Sequence, residues 1–90
     1  MNRDYFYYLG TYDVIQIFND VSSFIQPFNS EFVTPSKVAE DICDYIDERT
    51  DLLQWPLFVC VFDKNRNFKG EFLVHRHFGD FGKFEAQPTF

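Results

Sequence analysis

The sequence predicts a single α+β domain over residues 1–90, with a small antiparallel sheet in the order β-α-α-β-β and two helices packed on one face. Three observations carry this reading. A segment near the middle repeats its apolar residues at helical spacing and opens with a helix-start signal. An unbroken apolar run, "LFVCVF" at 57–62, is followed by a polar turn and an alternating segment, which together form a hairpin. An aromatic stretch near the N-terminus ends in glycine, which suits a strand. Ninety residues leave room for one modest core.

The first strand is expected in "DYFYYLG", residues 4–10. In "TYDVIQIFNDVSSFIQPF", Val14, Ile17, Phe18, Val21 and Ile25 fall at helical spacing, Thr11 or Asp13 can cap the first turn, and Pro27 ends the helix. The second helix is expected over 35–49. Thr34 serves as N-cap and Pro35 takes the first helical position, where its missing N–H is harmless. At roughly 100° per residue, Val38, Ala39, Ile42, Tyr45 and Ile46 share one arc. Glu40, Asp41, Asp44, Asp47, Glu48 and Asp51 share the opposite arc.

"LFVCVF" has no alternation, so it reads as a central strand buried on both faces. "DKNRN" supplies a polar turn. "FKGEFLVHRHF" returns as the partner strand, with Phe72, Val74 and Phe78 on one side and Leu73, His75 and His77 on the other. The tail "GDFGKFEAQPTF" places Phe78, Phe81 and Phe84 among glycines, fits neither period, and is read as a loop or ragged edge.

Charge is distributed unevenly. Residues 1–63 hold eleven acidic and three basic side chains, a net of −8, while 64–83 hold five basic and two acidic, a net of +3. Glu85 brings the total to −6. Such a chain repels phosphate, so direct nucleic-acid binding is not expected. The stretch "KVAEDICDYIDERTD", residues 37–51, carries six of the fourteen carboxylates. Like charges at i,i+4 and negative charge near the helix C-terminus both disfavour this helix, and interleaved lysines would have avoided both penalties. The acidic arc is therefore expected to serve as a surface for a basic protein partner, against the plainer reading of a solvated face.

The other chemistry-bearing residues offer less. Cys43 and Cys60 lie in hydrophobic runs, where thiols are expected to be buried and inert rather than nucleophilic. His75 and His77 share one side of a strand but lack the further ligands that zinc requires, so no metal or cofactor is expected. The chain shows no membrane span or signal-peptide pattern, and its cysteine usage fits a reducing, cytoplasmic setting. Aromatics make up 21% of residues, more than so small a core can hide, so Phe78, Phe81 and Phe84 are expected to join the acidic arc as partner contacts.

In size and charge the chain resembles small acidic proteins that block a basic, nucleic-acid-handling partner: phage-borne inhibitors of host defence, anti-restriction proteins, and immunity proteins against toxic nucleases. The expected function is then non-enzymatic, a steric and electrostatic block. The alternative is a subunit or homodimer that associates through the Phe-rich C-terminal segment. A small enzyme or a single-stranded nucleic-acid binder is a third reading.

Overall fold

The computed structural model describes residues 2–18, 20–77 and 83–89. Among these residues, five strands form one antiparallel sheet: β1 (Arg3–Leu9), β2 (Gln26–Ser30), β3 (Leu57–Asp63), β4 (Phe68–Arg76) and β5 (Phe84–Pro88). Their spatial order is β2-β1-β3-β4-β5. Helix α1 (Tyr12–Gln16) and a short 3-10 turn (Val21–Ser23) connect β1 to β2, and α2 (Pro35–Asp47) connects β2 to β3. The α+β class and the antiparallel sheet stand as the sequence predicts, with two strands added.

The hairpin of β3 and β4 forms where the apolar run and the alternating segment place it. Its turn is held by Asp63, whose Oδ1 accepts the N–H groups of Asn65 and Asn67, each at 2.9 Å. These bonds, that from Asn67 first, hold the Asp63 carboxyl below its usual range. Val59, Cys60, Val61 and Phe62 are all buried, so β3 is the central strand with both faces covered.

The two faces carry separate apolar clusters. Tyr5, Val59, Val61, Phe72, Val74 and Phe84 pack under Val38, Ala39, Ile42 and Cys43 of α2. On the other face, Cys60 and Phe62 pack against Ile15 and Ile25, with Phe6, Tyr8, Tyr12 and Phe68 around them. The helices therefore lie on opposite faces, not together on one. Strand parity makes this possible, because β1 sends Tyr5 and Tyr7 one way and Phe6 and Tyr8 the other.

The first helix differs most from expectation. The segment does not continue as one helix to Pro27. Asp20 instead accepts the hydroxyls of Ser22 and Ser23 at 2.5 and 2.8 Å, and such local bonding favours a turn over a helix. Pro27 lies within β2, opposite Phe6, on an edge strand where proline is tolerated. The buried face differs too: Ile15 is fully buried, while Ile17 is 75% exposed and Val14 and Phe18 are also exposed. The Tyr12 ring stacks on Phe68 with centroids 3.9 Å apart, which directs Ile15, three residues on, into the sheet.

In α2 the expected arc is buried except for Tyr45, which is exposed, and Cys43 takes its place in the core. The helix ends at Asp47, two residues short of 49, with Glu48 as C-cap. The tail, expected as a loop, forms β5 from Phe84 onward and pairs with β4.

Candidate functional site

Helix α2 and the residues just after it place six carboxylates in two groups. Three hold the fold. Glu40 Oε2 accepts the Ala86 N–H of β5 at 3.0 Å, and its Oε1 lies 3.5 Å from Lys37 Nζ. Asp41 Oδ2 accepts the Ser30 hydroxyl of β2 at 2.8 Å. Asp47, its side chain 8% exposed, pairs with Arg76 at 3.2 Å and Lys83 at 3.7 Å. These contacts tie α2 to both edges of the sheet and to β4.

The other three face outward. Asp44 makes no side-chain hydrogen bond or ion pair among the described residues. Among the described residues Glu48 has only Arg49, at 3.9 Å. Asp51 follows the helix and is exposed. Asp44 and Glu48 line a groove of about 480 Å³, with Asp41 and Tyr45 of α2 on one side and Pro27, Phe28 and Asn29 of edge strand β2 on the other.

The groove has aromatic walls. Phe28 meets Tyr45 edge-on with ring centroids 5.4 Å apart, and meets Tyr7 edge-on at 6.2 Å. Burial, with the Tyr45 phenol adding to it, raises the Tyr7 phenol above its ordinary range. The Arg49 guanidinium lies 3.6 Å from the centroid of the Tyr45 ring while donating to the Tyr45 carbonyl at 2.9 Å. This ring already accepts a cation on its face. The sequence does not mark Phe28, because β2 is hidden behind an apparent helix, nor Tyr45, which helical spacing assigns to the buried arc.

The expected aromatic contacts do not gather at this site. Phe84 is 5% exposed and packs in the core against Trp55, centroids 5.0 Å apart, so it is not a surface contact. Its parity within β5 turns it under α2, which the Gly-rich tail did not reveal. Phe78 and Phe81 lie outside the described residues.

The remaining candidates are accounted for locally. Both thiols are fully buried, and burial pushes each up to about 12, with Asp47 and Glu40 adding for Cys43 and Glu71 for Cys60. Cys60 also donates weakly to the Gly10 carbonyl at 3.3 Å. His77 Nε2 sits 2.8 Å from Glu85, and that hydrogen bond lowers the Glu85 carboxyl. No cluster of three metal-ligating side chains occurs among the described residues. No helix among them is long and apolar enough to cross a membrane.

Glu71 was not singled out from sequence. It is a nearly buried carboxylate that accepts the Tyr12 N–H at the start of α1 and the Thr89 hydroxyl at 2.6 Å. Thr11, the N-cap of α1, makes no side-chain cap bond, so Glu71 supplies that acceptor from across the sheet. The chain matches no protein-family model, no curated protein and no solved structure.

Proposed function

We propose that this protein is a non-enzymatic binding module whose acidic groove, between α2 and the β2 edge, receives a basic protein surface. Asp44, Glu48 and Asp51 supply the charge, and Phe28 and Tyr45 supply the apolar contact. By occupying a basic surface that would otherwise hold phosphate, the module acts as an inhibitor of a nucleic-acid-handling partner, such as a nuclease. Inhibitors of host defence carried by phage, anti-restriction proteins and nuclease immunity proteins are of this kind.

One observation carries the reading. Of the six acids between 40 and 51, Glu40, Asp41 and Asp47 bond within the fold, while Asp44 and Glu48, with no close cation among the described residues, stand with Asp41 along a half-apolar groove, and Asp51 is exposed just beyond the helix. Like charges on one helix face are mildly unfavourable for folding, so a complementary partner relieves a tension that the free chain retains. The buried, strongly protonated thiols support a non-enzymatic role.

The test is affinity capture followed by kinetics. A triple variant, Asp44→Asn with Glu48→Gln and Asp51→Asn, keeps side-chain shape and removes three charges. The wild type is expected to capture a basic protein from lysate that the triple variant loses, with a slower association rate and a flatter salt dependence for the variant. Identical kinetics for the two proteins would remove the acidic groove from the account.

A second reading rests on the opposite face. Val14, Ile17, Phe18, Phe24 and Phe58 are all exposed there, and the Phe18 and Phe24 rings lie 4.3 Å apart. Association through this face, with a second copy, is the hydrophobic alternative that the described residues support. Salt separates the two readings, since hydrophobic contact does not weaken as salt rises.

A further inference from the structure

The edges of a β-sheet expose backbone donors and acceptors that can template pairing with another chain. In β5 the direction of each N–H follows from two bonds. His77 N–H donates to the Lys83 carbonyl at 2.7 Å, and Thr89 N–H donates to the Glu71 carbonyl at 3.1 Å. The backbone N–H and C=O groups of odd-numbered positions therefore point at β4, and those of Phe84, Ala86 and Pro88 point outward from the edge. Pro88 has no N–H to offer. The outward Ala86 N–H is the one that Glu40 Oε2 accepts at 3.0 Å.

The other edge is treated similarly. Pro27 stands opposite Phe6 and cannot exchange two hydrogen bonds with it, so Pro27 and Asn29 are the outward positions of β2. Of five outward-facing strand positions, two are prolines and one has its N–H occupied by Glu40. Without Glu40, Phe84 and Ala86 present alternating N–H and C=O groups that are self-complementary about a two-fold axis. With it, two carboxylates would face each other across any such seam.

We propose that Glu40 seals the β5 edge, through its bond to the Ala86 N–H, against strand pairing with a second copy of this chain. Glu40 is only 24% exposed at its side chain, and Lys37 beside it holds the other oxygen. This assignment is independent of the acidic groove, because Glu40 does not line it.

Sedimentation equilibrium and amide exchange test the proposal together. The Glu40→Ala variant is expected to self-associate at lower concentration than the wild type, and adding Ala86→Pro should return it to wild-type behaviour. The Ala86 amide of the wild type is expected to exchange more slowly than the outward amide of Asn29. Its exchange should accelerate roughly tenfold in Glu40→Ala, where a charge-assisted bond is lost. Glu40→Gln retains a carbonyl oxygen and should keep most of the protection. A folded Glu40→Ala that associates no more than the wild type would overturn the proposal, as would association that survives Ala86→Pro. Should Glu40→Ala fail to fold, the wild-type exchange decides: an Ala86 amide as fast as that of Asn29 rejects the seal, and a protected one supports it.

Discussion

Replacing Asp47 with Asn should destabilise the protein, whereas the same change at Asp44, three residues earlier, should not. Asp47 sits at the C-terminal end of α2, where the helix dipole disfavours a negative charge. It is retained because Arg76 at 3.2 Å and Lys83 at 3.7 Å hold it in a site where its side chain is 8% exposed. A desolvated charge-assisted contact contributes about 1.5–3 kcal/mol. The Arg76 side chain is 27% exposed and that of Lys83 51%, so water recovers part of the loss in the variant. The expected penalty is about 1–2 kcal/mol. For a domain of this size that corresponds to a fall in Tm of roughly 5–15 °C. Asp44→Asn relieves like-charge contact with Glu40 and Glu48 at i±4 and should leave Tm unchanged or slightly higher. Thermal melts of both variants beside the wild type, at low and high salt, provide the assay. An Asp47→Asn protein that melts with the wild type would refute the division of the acidic helix into a structural and a free half.

Three further outcomes are expected. In the native state both thiols should resist alkylating reagents at neutral pH, since each is held protonated up to about 12, and should react only as the chain unfolds; fast stoichiometric labelling of the folded protein would contradict their burial. Gly70→Ala should cost about 1–3 kcal/mol in urea unfolding, because a Cβ there would lie 2.8 Å from the Phe72 ring in the core; an unchanged midpoint would mean that the ring moves freely. The Asp63 carboxyl is lower in the folded state than its ordinary 3.8, so its stabilising effect is complete above that value and is lost as pH falls through the lowered one. Asp63→Ala should therefore lower stability at neutral pH and flatten its acid dependence below that value. Parallel acid profiles for variant and wild type would count against the turn as the cause.

The central hairpin and α2 were legible because each has a local cause that tertiary packing does not oppose. "LFVCVF" is apolar on both faces, and from Val59 to Phe62 both faces are covered. Thr34 takes the N-cap position and Pro35 starts α2 where the sequence places them, although the Thr34 side chain makes no cap bond. The segment 12–25 was not legible. Its helical stripe of Val14, Ile17 and Phe18 is genuine in the sequence, but Glu71 and Phe68, both more than fifty residues away, fix Tyr12 and choose Ile15 instead. Residues 26–30 carry proline and three polar residues, a composition that resembles a strand only beside β1. The acidic arc was visible as an arc, but not its division. Helical spacing cannot tell that Glu40, Asp41 and Asp47 point at Ala86, Ser30 and Arg76. Phe84 was misread for the same reason, since only its pairing opposite Arg76 turns it inward.

The central claim is that the groove between α2 and β2 accepts positive charge. Titrating the isotope-labelled protein with an arginine-rich peptide, and following backbone amide shifts at low and high salt, tests it most directly. The account predicts saturable shifts centred on Phe28, Asn29, Asp44, Tyr45 and Glu48 that shrink as salt rises and disappear in the Asp44→Asn, Glu48→Gln, Asp51→Asn variant. Shifts centred on Val14, Ile17, Phe18 and Phe58, or shifts that the triple variant retains in full, would contradict it.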